Sequence, residues 1–334
     1  MNFKGKKILM FYPYGITKHY GYYIQKELES RGAIVYAFDE RPSQSSMTKI
    51  IIRLMKKKLP QIFISYLKKV IGQVDTDSID YLIVLRGEAF TPMSLTYLRK
   101  KLPKAYFILY LWDILKATNV SECFNYFDKV LSFDEEDAKS HFGVHFRPTF
   151  FLPIFETISL QKGTKYDISY VATMDRVRYP ILCSIKNNIY NDCKLNMHLY
   201  VVSKILYYRN KFISFGKFGK QIKPQYNALN LSQIAELTKQ SRCVLDISYP
   251  DQVGLSMRVY EALAAHRKYI TTNEYVKKCD FYCPENILVI NRDNPYIPQE
   301  FVESKYVEIP KEILQKYSLK QWVDDVFYQT DSKI

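Results

Sequence analysis

Arg258 and Glu261 stand three residues apart in the stretch DQVGLSMRVYEALAAHRKYITTN, Asp251 to Asn273. Ser256 is an N-cap residue type, and Leu255, Val259, Ala262, Leu263 and His266 recur at spacings of three and four. That pattern predicts a helix over 257–265. Arg258 then falls in the first turn, where unpaired N–H groups and the helix dipole already present positive potential. A guanidinium suits that place when an anion joins it, because N–H groups and guanidinium converge on one phosphate-like charge. Glu261, one turn further on the same face, can accept hydrogen bonds from vicinal hydroxyls. The plainer reading is a surface ion pair at i, i+3, contributing about 0.2–0.5 kcal/mol.

Three other side chains have the chemistry to take a proton from an attacking hydroxyl. Glu88 in LRGEAF and Asp113 in LYLWDIL directly follow strand-like runs, and His19 follows YPYG. The competing structural roles are an N-cap for Asp113 and a loop partner of Arg86 for Glu88. The loop GKFGKQIK (216–223) carries two glycines and three lysines but lacks the Gly-Lys-Ser/Thr that closes a Walker A loop. It reads as a solvated connection, with a phosphate contact as the second reading.

The elements that must position these residues alternate along the chain. Strand-like runs cover 7–12, 33–38, 81–85, 106–111 and 129–132, with helical patterns at 18–30, 47–72 (broken near Pro60), 94–101, 120–127 and 135–141. Such alternation predicts a parallel sheet flanked by helices. The segment RPTFFLPIFETISLQKG breaks the period and reads as an interdomain connection. Alternation resumes with strands at 166–173, 195–202, 243–248 and 268–272 and helices at 179–190, 231–240 and 257–265. The expectation is an α/β protein of two Rossmann-like domains, 1–150 and 151–310. A helix in 311–334 would return toward the first domain. Ligands of open parallel sheets lie beyond the carboxyl ends of the strands, so a cleft between the domains is the expected site.

The chain has 334 residues, 47% of them hydrophobic, enough for two cores. No apolar run reaches the roughly 18–20 residues that span a bilayer, and MNFKGKKILMFYPYG reads as a first strand rather than a leader. The six cysteines and five histidines show no zinc or disulfide spacing. No metal and no cofactor is expected, and a cytoplasmic location follows from these readings. The net charge of +14 calls for an anionic partner. Within 47–72, apolar Ile50, Ile51, Leu54, Ile62, Phe63, Tyr66, Leu67 and Val70 share a helical stretch with Lys49, Arg53, Lys56, Lys57, Lys58, Lys68 and Lys69. That pattern suits the face of an anionic membrane, or a core helix with a solvated back.

The stretch VLDISYPDQVGLSMRVYEALAAHRKYITTN resembles the donor-binding segment of GT-B glycosyltransferases, in particular bacterial enzymes of surface polysaccharide and lipopolysaccharide assembly. YDISYVATMDRVRYPIL resembles the first strand and loop of that family's C-terminal domain. IDYLIVLRGEAFTPMSLTYLRKKLPKAYFILYLWDIL is similar to its N-terminal cleft wall. The resemblance covers under half of the chain, in the expected order. It implies that Glu261 holds the ribose of a nucleotide-sugar donor and that Arg258 and the backbone of Gly254, Leu255 and Ser256 face the diphosphate. Arg176 or Arg178 would be a second phosphate ligand, Asp251 and Gln252 would approach the sugar, and Thr272 and Asn273 close the segment. The acceptor would be a glycan or glycolipid hydroxyl. The loop glutamate pair of retaining relatives is not matched, since Asp251 is the sole upstream carboxylate of the loop; the anomeric outcome stays open. Two other readings remain: a nucleotide-sugar epimerase or hydrolase of the same fold, and a nucleic-acid-binding protein suggested by charge alone. The latter is disfavoured because no recognisable nucleic-acid module is present.

Overall fold

The computed structural model describes residues 1–45, 48, 51–52, 56, 60–159 and 163–328. The chain divides into two compact units. One is Met1–Thr149 together with the segment from Leu319 onward; the other is Phe150–Ser318.

Unit 1 is built on six parallel strands: β1 (Lys7–Tyr12), β2 (Ile34–Asp39), β3 (Tyr81–Leu85), β4 (Tyr106–Leu111), β5 (Lys129–Ser132) and β6 (Val144–Phe146). Their order is β2-β1-β3-β4-β5-β6. Strands covered on both faces must be apolar throughout rather than alternating. The runs LIVL in β3 and FILYL in β4 meet that requirement, with every residue buried. Helices α1 (Lys18–Ser30), α2 (Pro60–Ile71) and α3 (Pro92–Lys101) supply the covering layers. Thr91 and Ser94 form a reciprocal capping box at the start of α3, with Pro92 in its first turn. The stretch predicted as a helix at 120–127 is a 3-10 helix, Ser121–Tyr126.

The described part of the basic segment 47–72 corrects one expectation. Phe63, Ile64, Leu67, Val70 and Ile71 of α2 point into the core of unit 1. Most of the described apolar stripe is therefore taken up by packing, while Ile62, Lys68 and Lys69 stay exposed. Lys49, Arg53, Lys57, Lys58, Ile50 and Leu54 lie outside the described residues.

Unit 2 has five parallel strands: β7 (Tyr166–Thr173), β8 (Leu195–Tyr200), β9 (Ser241–Asp246), β10 (Lys268–Thr271) and β11 (Ile287–Val289), ordered β11-β10-β9-β7-β8. Its longer helices are α4 (Tyr179–Asn188), α5 (Lys204–Ile213), α6 (Leu231–Lys239) and α7 (Met257–Ala264). Helix α5 has no counterpart in the sequence-based expectation. Its apolar residues run around the whole helix instead of along one stripe, and only Tyr207 within it is buried.

The expected single tail helix is two pieces. Lys311–Gln315 forms a short helix within unit 2. Tyr317 then stacks on Tyr260, with ring centroids 4.7 Å apart, and donates a hydrogen bond to Asp280 at 2.6 Å. The chain enters α8 (Leu319–Phe327) only after that anchor and rejoins unit 1. Trp322 of α8 is fully buried, edge-on to Tyr110 of β4 at 4.8 Å, and Phe327 packs on Phe3 at 5.2 Å.

In both sheets the strand order reverses once, between β1 and β3 in unit 1 and between β7 and β9 in unit 2. The carboxyl ends at such reversals are where open α/β sheets form ligand crevices.

Candidate functional site

At the reversal in unit 1, charged groups are packed together below the surface. β3 is followed by Arg86 and Gly87, both in the left-handed region at φ +81° and +78°. A non-glycine residue there is uncommon and costs free energy, which structures tend to spend at functional turns. A Cβ on Gly87 would also stand 3.0 Å from Leu109 Cδ1, so the leucine would have to give. The turn aims its own charges inward. Arg86 Nη2 lies 3.2 Å from Glu88 Oε2, and Arg86 Nε lies 2.9 Å from Asp113 Oδ2. Arg41, just past β2, donates a short hydrogen bond to Glu88. Gly87 N–H donates to Glu40 Oε2 at 3.0 Å.

Of the predicted proton acceptors, Glu88 is buried, with its side chain 3% exposed, and serves as counter-ion to two arginines. The Arg86–Glu88 partnership predicted as the competing role is thus present. Asp113 keeps a 44% exposed side chain, held in orientation by Arg86. His19 sits in the first turn of α1, its ring 4.2 Å from that of Tyr20. Sequence reasoning missed Glu40. It is fully buried, and desolvation pushes its carboxyl up to about 7. Arg86 and Arg41 oppose the shift, while Glu88 and Asp39 add to it. The available signal was the charged pair Glu40–Arg41 directly after a strand run, the same position that drew attention to Glu88.

In unit 2 the site is built around the start of α7. Ser256 caps the helix, its Oγ accepting from Arg258 N–H at 3.3 Å and donating to Asp246 Oδ2 at 2.7 Å. Tyr269 donates to the same Asp246 oxygen at 2.8 Å, so the end of β9 is tied to the helix tip. Arg258 occupies the first turn with a partly exposed side chain, and its Nη1 lies 3.4 Å from Glu261 Oε2. The i, i+3 pair exists, yet it is not a surface pair: the Glu261 side chain is 2% exposed.

The remaining predicted residues divide by role. Asp251 is exposed; Gln252 Nε2 donates to the Gly254 carbonyl at 2.8 Å, which tightens the loop. Gly254 and Leu255 are buried. Asn273 Nδ2 donates to the carbonyls of Gln252 and Val253, at 3.3 and 3.1 Å. Thr272 Oγ1 accepts from Ser248 N–H at 3.2 Å. Both residues therefore brace the loop from below. Arg292, which the sequence did not single out, joins them by donating to the Ser248 carbonyl at 2.6 Å. Arg178 is clamped by Asp175 at 2.5 Å and lies over the Tyr249 ring at 4.8 Å, at the carboxyl end of β7. Arg176 is exposed and lines a cavity beside α4. Among the described residues, no group of three His, Cys, Asp or Glu side chains could hold a metal ion.

No protein-family model matches the sequence, and neither does any curated relative. Solved structures do match in fold. HepE from Anabaena, in complex with UDP and glucose, has a TM-score of 0.64 at 11% identity, over 96% of this chain and 98% of that one. A glycosyltransferase from Rickettsia africae gives 0.56 at 13% identity, over 96% and 88%. MnaA of S. aureus with UDP gives 0.57 at 12% identity, over 98% and 100%. The fold is GT-B. At these identities the likeness is one of architecture, two Rossmann-like units; in this chain each unit has its sheet reversal. In this GT-B chain both reversals carry the charged residues described above. No described helix is long and apolar enough to cross a membrane.

Proposed function

We propose that this chain is a glycosyltransferase that moves a sugar from a nucleotide-sugar donor to a hydroxyl of a bacterial cell-surface glycan, such as lipopolysaccharide, capsule or exopolysaccharide. The acceptor would be lipid-linked and met at the cytoplasmic face of the membrane. The observation that carries the reading is Arg258, a cation in the first turn of α7 above the buried carboxylate of Glu261. A diphosphate supplies the charge that such a tip favours. Two of the proteins similar in fold were solved with UDP bound, which supports a nucleotide ligand.

Each unit then has a part in one reaction. In unit 2, Arg258, the N–H groups at the start of α7 and Arg178 receive the negative charge that grows on the phosphate as the glycosidic bond to it breaks. Glu261 accepts hydrogen bonds from the ribose hydroxyls. In unit 1, Asp113 takes the proton of the acceptor hydroxyl as its oxygen forms the new bond to the anomeric carbon. Arg86 positions Asp113, and Glu88, Arg41 and Glu40 fix Arg86 from below. Charge on the leaving group is met by protein cations and N–H groups, so transfer needs no metal ion.

A thermal-shift panel of nucleoside diphosphates, nucleoside monophosphates and oligonucleotides tests the reading. Selective stabilisation by one nucleoside diphosphate, UDP foremost, is the expected result. Stabilisation by DNA or RNA alone overturns it.

A further inference from the structure

Helix α5 and the turn after it leave a group of apolar side chains in water. Ile205, Leu206, Tyr208, Phe212, Ile213 and Phe215 are all exposed, Ile205 at 82%, Phe212 at 85% and Phe215 at 95%. Single exposed apolar residues are ordinary, but six within eleven positions form a patch of the kind that marks an interaction surface.

The backbone adds a second observation. Gly216 N–H bonds the Lys211 carbonyl at 2.8 Å, ending α5 in the turn whose left-handed position is usually glycine. Here that position is Phe215, at φ +51°. A bulky residue in this conformation costs free energy, and its ring gains almost no burial in return.

Charge points to what would cover the patch. No Asp or Glu occurs between Asp192 and Glu236. Lys204, Arg209, Lys211, Lys217, Lys220 and Lys223 lie in that interval, and all six are exposed. Lys217 and Lys220 also line a cavity of about 740 Å³ with Ser184, Asn187, Tyr179 and Phe218, a recess of mixed polar and apolar lining beside the apolar patch.

We propose that α5 and residues 214–223 dock onto an anionic phospholipid bilayer, with Ile205, Phe212 and Phe215 entering the boundary between headgroups and acyl chains. The lysines then lie on the lipid phosphates, and the recess accepts a headgroup. Aromatic and branched apolar side chains beside a run of cations are the combination that such interfaces bind. A second copy of the chain fits less well, because a twofold contact would set these cations against themselves. A nucleic acid fits less well too: Tyr208, Phe212 and Phe215 could stack on bases, but the exposed aliphatic chains of Ile205, Leu206 and Ile213 would be left in water. The proposal stands apart from the transferase reading and moves membrane contact from 47–72, where Phe63, Ile64, Leu67, Val70 and Ile71 are core, to unit 2.

Co-sedimentation of the full chain with vesicles tests it, using phosphatidylcholine alone and phosphatidylcholine mixed with phosphatidylglycerol. The chain is expected to sediment with the mixed vesicles and to be released by high salt. Phe212→Ser with Phe215→Ser lowers the partition coefficient by about tenfold or more. Lys211→Ser and Lys217→Ser lower it by about fivefold each. A UDP thermal shift on the same samples is unchanged by these substitutions, so failure of nucleotide binding and failure of lipid binding are read separately. Retention of the parent in the supernatant with both vesicle types overturns the proposal. So does equal sedimentation of parent and variants, or self-association that the phenylalanine substitutions abolish in the absence of lipid binding.

Discussion

The two sheet reversals handle charge in opposite ways. In unit 1, Glu40, Arg41 and Glu88 are buried and Arg86 nearly so, and each is tied to another charged group or to a backbone N–H. In unit 2, the cation Arg258 sits where the helix already repels it, partly in solvent, with a buried carboxylate 3.4 Å behind. The first arrangement is a set of charges compensating one another and holding a turn. The second is a positive tip backed by one buried carboxylate, where the proposed function places the ligand's diphosphate. On the proposed function, burial of like chemistry means positioning in one unit and recognition in the other.

The sharpest way to break this contrast is Arg41→Gln. Removing one partner from a buried ion pair strands the other charge, so urea unfolding should show a loss of about 3–5 kcal/mol. UDP affinity of the folded fraction should be unchanged. A loss below about 1 kcal/mol would mean that solvent already screens the pair, as it does for exposed pairs.

Glu40→Gln sharpens the same point through pH. The Glu40 carboxyl is at about 7 in the folded chain against an ordinary 4.5, so between those values the folded state binds more protons than the unfolded. Its contribution to stability is full below about pH 4.5 and lost as pH rises through about 7, by up to roughly 3 kcal/mol. The variant keeps the hydrogen bond from Gly87 and removes the titration. The difference in unfolding free energy between parent and variant should therefore slope downward from pH 4.5 to 7 and be flat above it. A flat difference throughout would show that Glu40 ionises as it does in solvent.

In unit 2 the effect moves from stability to ligand. Arg258→Gln should weaken UDP binding by about 10- to 100-fold in calorimetry, the worth of charge-assisted hydrogen bonds at roughly 1.5–3 kcal/mol. Unchanged affinity would remove the anion from the tip of α7. The smallest effect is Ser256→Ala, which deletes a cap hydrogen bond and should cost about 1 kcal/mol by thermal unfolding.

The sequence disclosed most of the architecture because parallel strands covered on both faces leave continuous apolar runs, as in LIVL at 82–85. It disclosed the tip of α7 because a cap, a period and a misplaced cation coincide within a few residues. What it hid has physical causes. Glu40 and Arg41 follow a strand and look like a solvated turn; only the tertiary packing of the Arg86–Gly87 turn buries them. The period of 47–72 was legible, but whether its stripe meets core or lipid depended on Phe63, Leu67 and Val70 finding partners in the sheet. Helix α5 escaped notice because its apolar residues surround it, the very property that leaves them exposed.

One consequence follows from the route of the chain. Unit 1 is discontinuous: its β4 residue Tyr110 is synthesised long before Trp322, the side chain that covers it. During translation the pocket for α8 stays bare until all of unit 2 has emerged from the ribosome, an apolar opening for chaperones to guard. Unit 2, contiguous from Phe150 to Ser318, has its whole sequence in hand first, so the half that begins last is the half able to finish folding earlier.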